Sequence, residues 1–198
     1  MRHKYATTAL VLSRAPIGEA SAFITLLTPD LGLIRARAQS VRKPGAKLAA
    51  ALQTFSESDV IVVRGKEGWR LSGAVLGRTW FSELSLPARL RAGRTTSLIL
   101  RLVNSNSLGE PIGETSATAL FNIFFGFLTA LTKLEDETEA DAAECLAALR
   151  ILRVIGVDAG DIPGGETGDY APETLSPITA NRSDYIVRIN HGIAASGL

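Results

Sequence analysis

The strongest constraint on the fold is a change of hydrophobic period near Pro87. Before it, short runs of β-branched and aliphatic residues alternate with Gly and Pro punctuation; after it, apolar residues recur at helical spacing. "TTALVLS" (residues 7–13), "SAFITLLT" (21–28) and "LIRARAQSV" (33–41) read as strands, the last two divided by the tight-turn signal "PDLG". "RKPG" then breaks the third strand, and "AKLAAALQ" has helix-forming composition. "SDVIVVRG" (58–65) and "WRLSGAVL" (69–76) read as a hairpin across "GKEG".

Three strands, a short helix and two strands is the element order of an OB-fold, a five-stranded barrel that often holds single-stranded nucleic acid. An SH3-like barrel shares most of this order. The helical part opens with "PARLRAGRTTSLILRLVNSNS", where Pro87 suits a first turn. "SATALFNIFFGFLTALTKL" is apolar on nearly every side, as in a central helix, and places Phe121, Phe124, Phe125 and Phe127 in a core. "EDETEADAAECLAALRILRVIGV" starts acidic, with Thr138 and Asp141 spaced as an N-cap pair, and stops near Gly156. Beyond it, "VDAGDIPGGETGDYAPETLSP" reads as irregular and "DYIVRINHGIA" as a final strand or strand pair. The expected fold class is α+β: an OB-fold barrel over residues 1–80, then a helical domain over 81–198 with a cysteine-free irregular C-terminal segment.

Composition excludes several classes. The single cysteine, Cys145, excludes an internal disulfide and a cysteine-cluster zinc site. Residues 115–132 carry no charge, but their Thr, Ser, Asn and Gly content favours a buried helix over a membrane span. "ALVL" is too short for a signal peptide and is closed by Arg14. A soluble, cytoplasmic protein without membrane attachment is expected.

The formal net charge of +1 hides an asymmetry: residues 1–101 carry a balance of +10 and residues 102–198 one of −9. Charge halves of this kind suit a polyanion partner for the basic part, or attraction between the halves. The excess is densest in "GLIRARAQSVRKPGAKLAAALQ", which holds Arg35, Arg37, Arg42, Lys43 and Lys47 and no acid. Strand alternation puts Arg35 and Arg37 on one face, opposite Ile34, Ala36 and Ala38. Guanidinium and ammonium groups neutralise phosphates, and planar groups stack on unpaired bases. Among the aromatics of this part, Phe23 and Phe55 read as core, and Tyr5 and Trp69, at strand starts, as exposed.

No catalytic constellation emerges. His3 and His191 sit near the ends, and Cys145 lies among helical neighbours without a local histidine. "PGGETGD" lacks the lysine and spacing of a phosphate-cradling loop. The "EDETEAD" run reads as a solvated helix start rather than a cation site. The expectation is a non-enzymatic protein with no cofactor and no metal.

The first eighty residues resemble the bacterial DNA repair protein RecO family. The resemblance rests on an aliphatic first strand, "GEAS" with Glu19, "FITLLT", "TPDLG", the alternating basic strand, "RKPGAKL" and "LQTF" in that order. "CLAALRILRVIGV" resembles the family's leucine-rich helix. The resemblance implies a recombination mediator that binds single- and double-stranded DNA and anneals complementary strands. It implies action with RecR to help RecA, indirectly, replace single-stranded DNA-binding protein (SSB), whose acidic tail members can contact, and hence a nucleoid-associated location. It assigns DNA contact to Arg35, Arg37, Arg42, Lys43 and Lys47.

The sequence departs from the family at Gln39-Ser40 and Gly45-Ala46. It also has no cysteines where many members carry a four-cysteine zinc module. It stops at "HGIAASGL" where relatives continue, which puts the SSB-tail site in question. An OB-fold RNA-binding protein and a protein–protein adaptor are the competing readings.

Overall fold

The structure, a computed structural model, describes residues 3–41, 48–106, 113–165 and 169–197. It separates into two compact units, Met1–Glu83 and Leu84–Leu198.

The first unit holds five strands: β1 (His3–Ile17), β2 (Ser21–Thr28), β3 (Gly32–Ala38), β4 (Ser56–Gly65) and β5 (Gly68–Thr79), followed by a single turn, α1 (Trp80–Glu83). They close into a barrel in the order β1-β2-β3-β5-β4, with β4 pairing back onto β1. This is the OB-fold order. Every pair is antiparallel except β3–β5, a short parallel contact of Ala36 with Trp69 and Arg37 with Arg70. Register shifts in β1 and along the β4–β5 pair bend the strands as closure requires.

Period-two alternation fills the interior. Val11, Ile24, Leu26, Ile34, Val60 and Val62 are all buried in one cluster. The "TPDLG" turn is held by the buried Thr28, whose hydroxyl accepts from Leu31 N–H at 3.0 Å and donates to Gly32 C=O at 3.1 Å. Gly32 has φ of 66°, a left-handed conformation that favours glycine. The expected short helix at "AKLAAALQ" is not found in its described part: residues 48–53 form turns. Phe55, at φ of 65°, closes that stretch by donating its N–H to Val11 C=O and accepting from Trp80 N–H, both at 2.9 Å.

The second unit comprises α2 (Leu86–Asn106), α3 (Glu114–Leu131), α4 (Glu137–Val154), α5 (Pro172–Ala180) and α6 (Arg182–Ala195). α4, not α3, is the hub: it packs against α2, α3, α5 and α6. Its buried alanines at 140, 142, 143, 147 and 148 let neighbours approach closely. Phe121, Phe124 and Phe127 of α3 are buried as expected. The N-cap of α4 is Asp136, whose carboxylate accepts from Thr138 and Glu139 N–H, rather than a Thr138–Asp141 pair. Asp141 instead bonds Arg91 and Arg182.

Two expectations for the C-terminal part are corrected. "APETLSP" contributes to α5, with Pro172 in its first turn, where a missing N–H costs nothing. "DYIVRINHGIA" is helical, not a strand pair: it lies within α6, and its buried Gly192 approaches Leu152 so closely that a Cβ there would sit 3.0 Å from Cδ1. Tertiary packing overrides the strand preference of Ile186 and Val187.

The Gly-rich loop between α4 and α5 is tied down by arginines. Fully buried Arg150 donates from Nε to Gly165 C=O at 3.0 Å and from Nη2 to Asp169 C=O at 3.1 Å. Arg188 of α6 holds the Asp158 carboxylate at 2.8 and 2.5 Å and the Asp161 carbonyl at 2.7 Å. Among the described residues, no helix is long and apolar enough to cross a membrane.

Candidate nucleic-acid interface

Alternation on β3 buries Ile34, Ala36 and Ala38 and turns Arg35 and Arg37 outward, as the sequence predicts. Across the β2 ladder, Thr25 stands opposite Arg35 and Phe23 opposite Arg37. Phe23 is therefore not a core residue. It lies half-buried on the outer face, and the Arg35 guanidinium carbon sits 4.3 Å from its ring centroid. Across the parallel contact, exposed Arg70 of β5 stands beside Arg37.

The β4–β5 hairpin extends this surface with exposed Arg64 and Lys66. Arg37, Arg64, Lys66 and Arg70 line one cleft of about 780 Å³, with Trp69 in its wall and Glu67 as its one acidic lining residue. Trp69 and Tyr5 are half-buried rather than exposed. They pack against the barrel core and meet edge-on at 5.4 Å, with Arg64 5.5 Å from the Trp69 ring. Phe55 is buried, as expected.

Ion pairing separates the two units. Among the described residues, none of Arg35, Arg37, Arg64, Lys66 and Arg70 has a carboxylate partner. Three of the barrel unit's acids are engaged elsewhere: Asp30 accepts from the Thr7 hydroxyl at 2.6 Å, Asp59 from Thr8 at 3.0 Å, and Glu83 pairs with Arg78. In the helical unit the carboxylates of α4 are largely spent on arginines. Arg91 bonds Glu137, Asp141 and Glu144, while Arg94 takes Glu144 and Arg182 takes Asp141. The run 135–141 is a solvated helix start, as the sequence predicts, with 135–138 exposed, and within it Glu137 and Asp141 also pair with arginines of neighbouring helices.

Uncompensated cations on a barrel face attract a polyanion, since each phosphate contact releases condensed counterions. Of the sequence-predicted contacts, the structure places Arg35 and Arg37 together on that face. Arg42, Lys43 and Lys47 lie outside the described residues. Arg64, Lys66 and Arg70 were not singled out from sequence. Their signal is the basic flanks of "VRGKEGWR", which acquire meaning only once β5 is known to pair with β3.

Cys145 is buried, and burial pushes its thiol up to about 11, so the reactive thiolate is suppressed. Among the described residues, no three His, Cys, Asp or Glu side chains group to hold a metal ion.

Residues 1–78 match the family described as recombination protein O N terminal. The chain is 30% identical over 154 residues to DNA repair protein RecO of Dehalococcoides mccartyi, covering 78% of this chain and 57% of that protein. It is 30% identical over 182 residues to DNA repair protein RecO of Acaryochloris marina, covering 91% of this chain and 58% of the relative. A shorter match, to DNA repair protein RecO of Synechococcus elongatus, is 44% identical over 71 residues, or 36% of this chain and 27% of the relative. Even the two longer matches span less than three fifths of the relative's own length.

Proposed function

We propose, from the match of residues 1–78 to the family described as recombination protein O N terminal, that this chain is a member of that family and a non-enzymatic mediator of DNA repair and recombination. Its barrel face binds single- and double-stranded DNA, brings complementary strands together for annealing, and serves, with RecR, to load RecA onto SSB-coated strands. The observation that carries this reading is the row of unpaired cations: Arg35 and Arg37 on β3, Arg70 on β5, and Arg64 and Lys66 at the hairpin.

Annealing follows from electrostatics. Two single strands repel through their phosphates, and a surface that neutralises several phosphates on each lowers that repulsion. Arg42, Lys43 and Lys47, which follow the basic strand in sequence, are assigned to the same contact on the family resemblance. A cleft of about 620 Å³ in the helical unit supports a partner role: it combines Leu90, Leu98 and Ile193 with Arg89 and Arg101, beside the Arg94–Glu144 pair, a composition suited to an acidic peptide such as the SSB tail. Such a mediator would act in the cytoplasm, at the nucleoid.

The test is annealing of complementary oligonucleotides coated with SSB, with and without the purified chain. Faster duplex formation at stoichiometric protein supports the reading. DNA binding without acceleration would reduce the protein to a plain DNA binder, and no DNA binding at low salt would favour an adaptor role.

A further inference from the structure

Arg35 and Arg37 share a face but not an environment. Arg37 stands beside another guanidinium, Arg70, on the wall of a cationic cleft. Arg35 instead lies over an aromatic ring, 4.3 Å from the Phe23 centroid. A phenyl ring on the outer face of a β-barrel has no core to fill, and here its cover is an arginine from the adjacent strand.

We infer that Arg35 and Phe23 form a stacking platform for one unpaired nucleobase, while the adjacent pair Arg37 and Arg70 holds the backbone next to it. This rests on the nucleic-acid reading of the barrel face. The ring holds the guanidinium by cation–π attraction, and Arg35 is exposed on the outer face. A guanidinium plane held in this way accepts a base by stacking, as aromatic rings do in proteins that bind single strands. A base in a duplex is already stacked between its neighbours and cannot reach the platform. The arrangement therefore gives the basic face a preference for single strands that charge alone does not supply. It also makes the choice of arginine specific, because lysine carries the charge without the plane.

The test uses the intact chain and fluorescence anisotropy at one salt concentration. Three probes are titrated: oligothymidylate, an abasic strand of equal length, and a duplex. Arg35→Lys and Phe23→Leu are each expected to weaken oligothymidylate binding about fivefold or more. Binding of the abasic strand and the duplex should weaken markedly less than that of oligothymidylate, and the salt slope of Arg35→Lys should be unchanged, since the charge count is unchanged. If Phe23→Leu loses its folded circular-dichroism spectrum, Arg35→Lys decides alone, as an exposed charge-conserving substitution. Wild-type affinity of Arg35→Lys for oligothymidylate, or an equal loss on the abasic strand, overturns the platform and leaves the nucleic-acid reading standing. Failure of the wild-type chain to bind any of the three probes overturns both.

Discussion

Arg37 of β3 and Arg70 of β5 are direct neighbours in the parallel contact that closes the barrel, and neither has a carboxylate partner among the described residues. Like charges side by side on a sheet oppose folding. The proposed function accounts for their presence at this point, as a surface that would take up a polyanion.

Substituting Arg70→Gln separates those two roles. Thermal unfolding should show stability unchanged or raised by up to about 1 kcal/mol as the repulsion is relieved. Single-strand binding should weaken, with the slope of log affinity against log salt falling by about 0.7 for one lost phosphate contact. Loss of stability together with unchanged binding would assign Arg70 to the barrel's structure instead.

Part of the acid side of the stability profile is set in the helical unit. Hydrogen bonding to Arg182, and secondarily to Arg91, holds the Asp141 carboxyl below its ordinary range, and Arg188 does the same to Asp158. A depressed folded-state value means the unfolded chain binds more protons in acid. This stabilisation is therefore complete above the unfolded value of about 3.9 and is lost as pH falls through the lower folded values. Urea unfolding should show this contribution flat from neutral pH to about 5 and declining below about 4. Asp141→Asn should cost about 1 kcal/mol at neutral pH, the partial exposure of the site keeping the loss modest, and should flatten the acid decline.

What the sequence made legible, and what it did not, divides along local and non-local lines. β2 and β3 are readable because their patterns are local: alternation for Arg35 and Arg37, and the "TPDLG" turn for Gly32. Arg70 is not, because its pairing with Arg37 exists only when the fifth strand returns in parallel to the third. Phe23 reads as core from a single strand, and only the ladder places it opposite Arg37 on the outside. Ile186 and Val187 suggest a strand, yet the buried Gly192 that docks α6 on Leu152 lies several residues downstream, and its contact is with another helix. Arg150 in "CLAALRILRVIGV" gives no local sign of being fully buried, because the carbonyls that hold it come from a loop fifteen and nineteen residues later.

That clamp carries its own prediction. Arg150→Met removes two charge-assisted bonds from a buried guanidinium to the carbonyls of Gly165 and Asp169, and should destabilise the protein by about 2–3 kcal/mol. Limited proteolysis should then cut within residues 155–165 faster than in the wild type. Arg150→Lys should recover only part of the loss, since one ammonium cannot reproduce the fork that spans both carbonyls. Wild-type stability and cleavage in Arg150→Met would show that the loop is held by other contacts.

The central claim is that the outward arginines of β3 bind nucleic-acid phosphates, and the salt dependence of binding measures this most directly. The account predicts that Arg35→Ala/Arg37→Ala binds unrelated single-stranded sequences more weakly, with a salt slope shallower than wild type by about 1.4. Unchanged affinity together with an unchanged slope would contradict it.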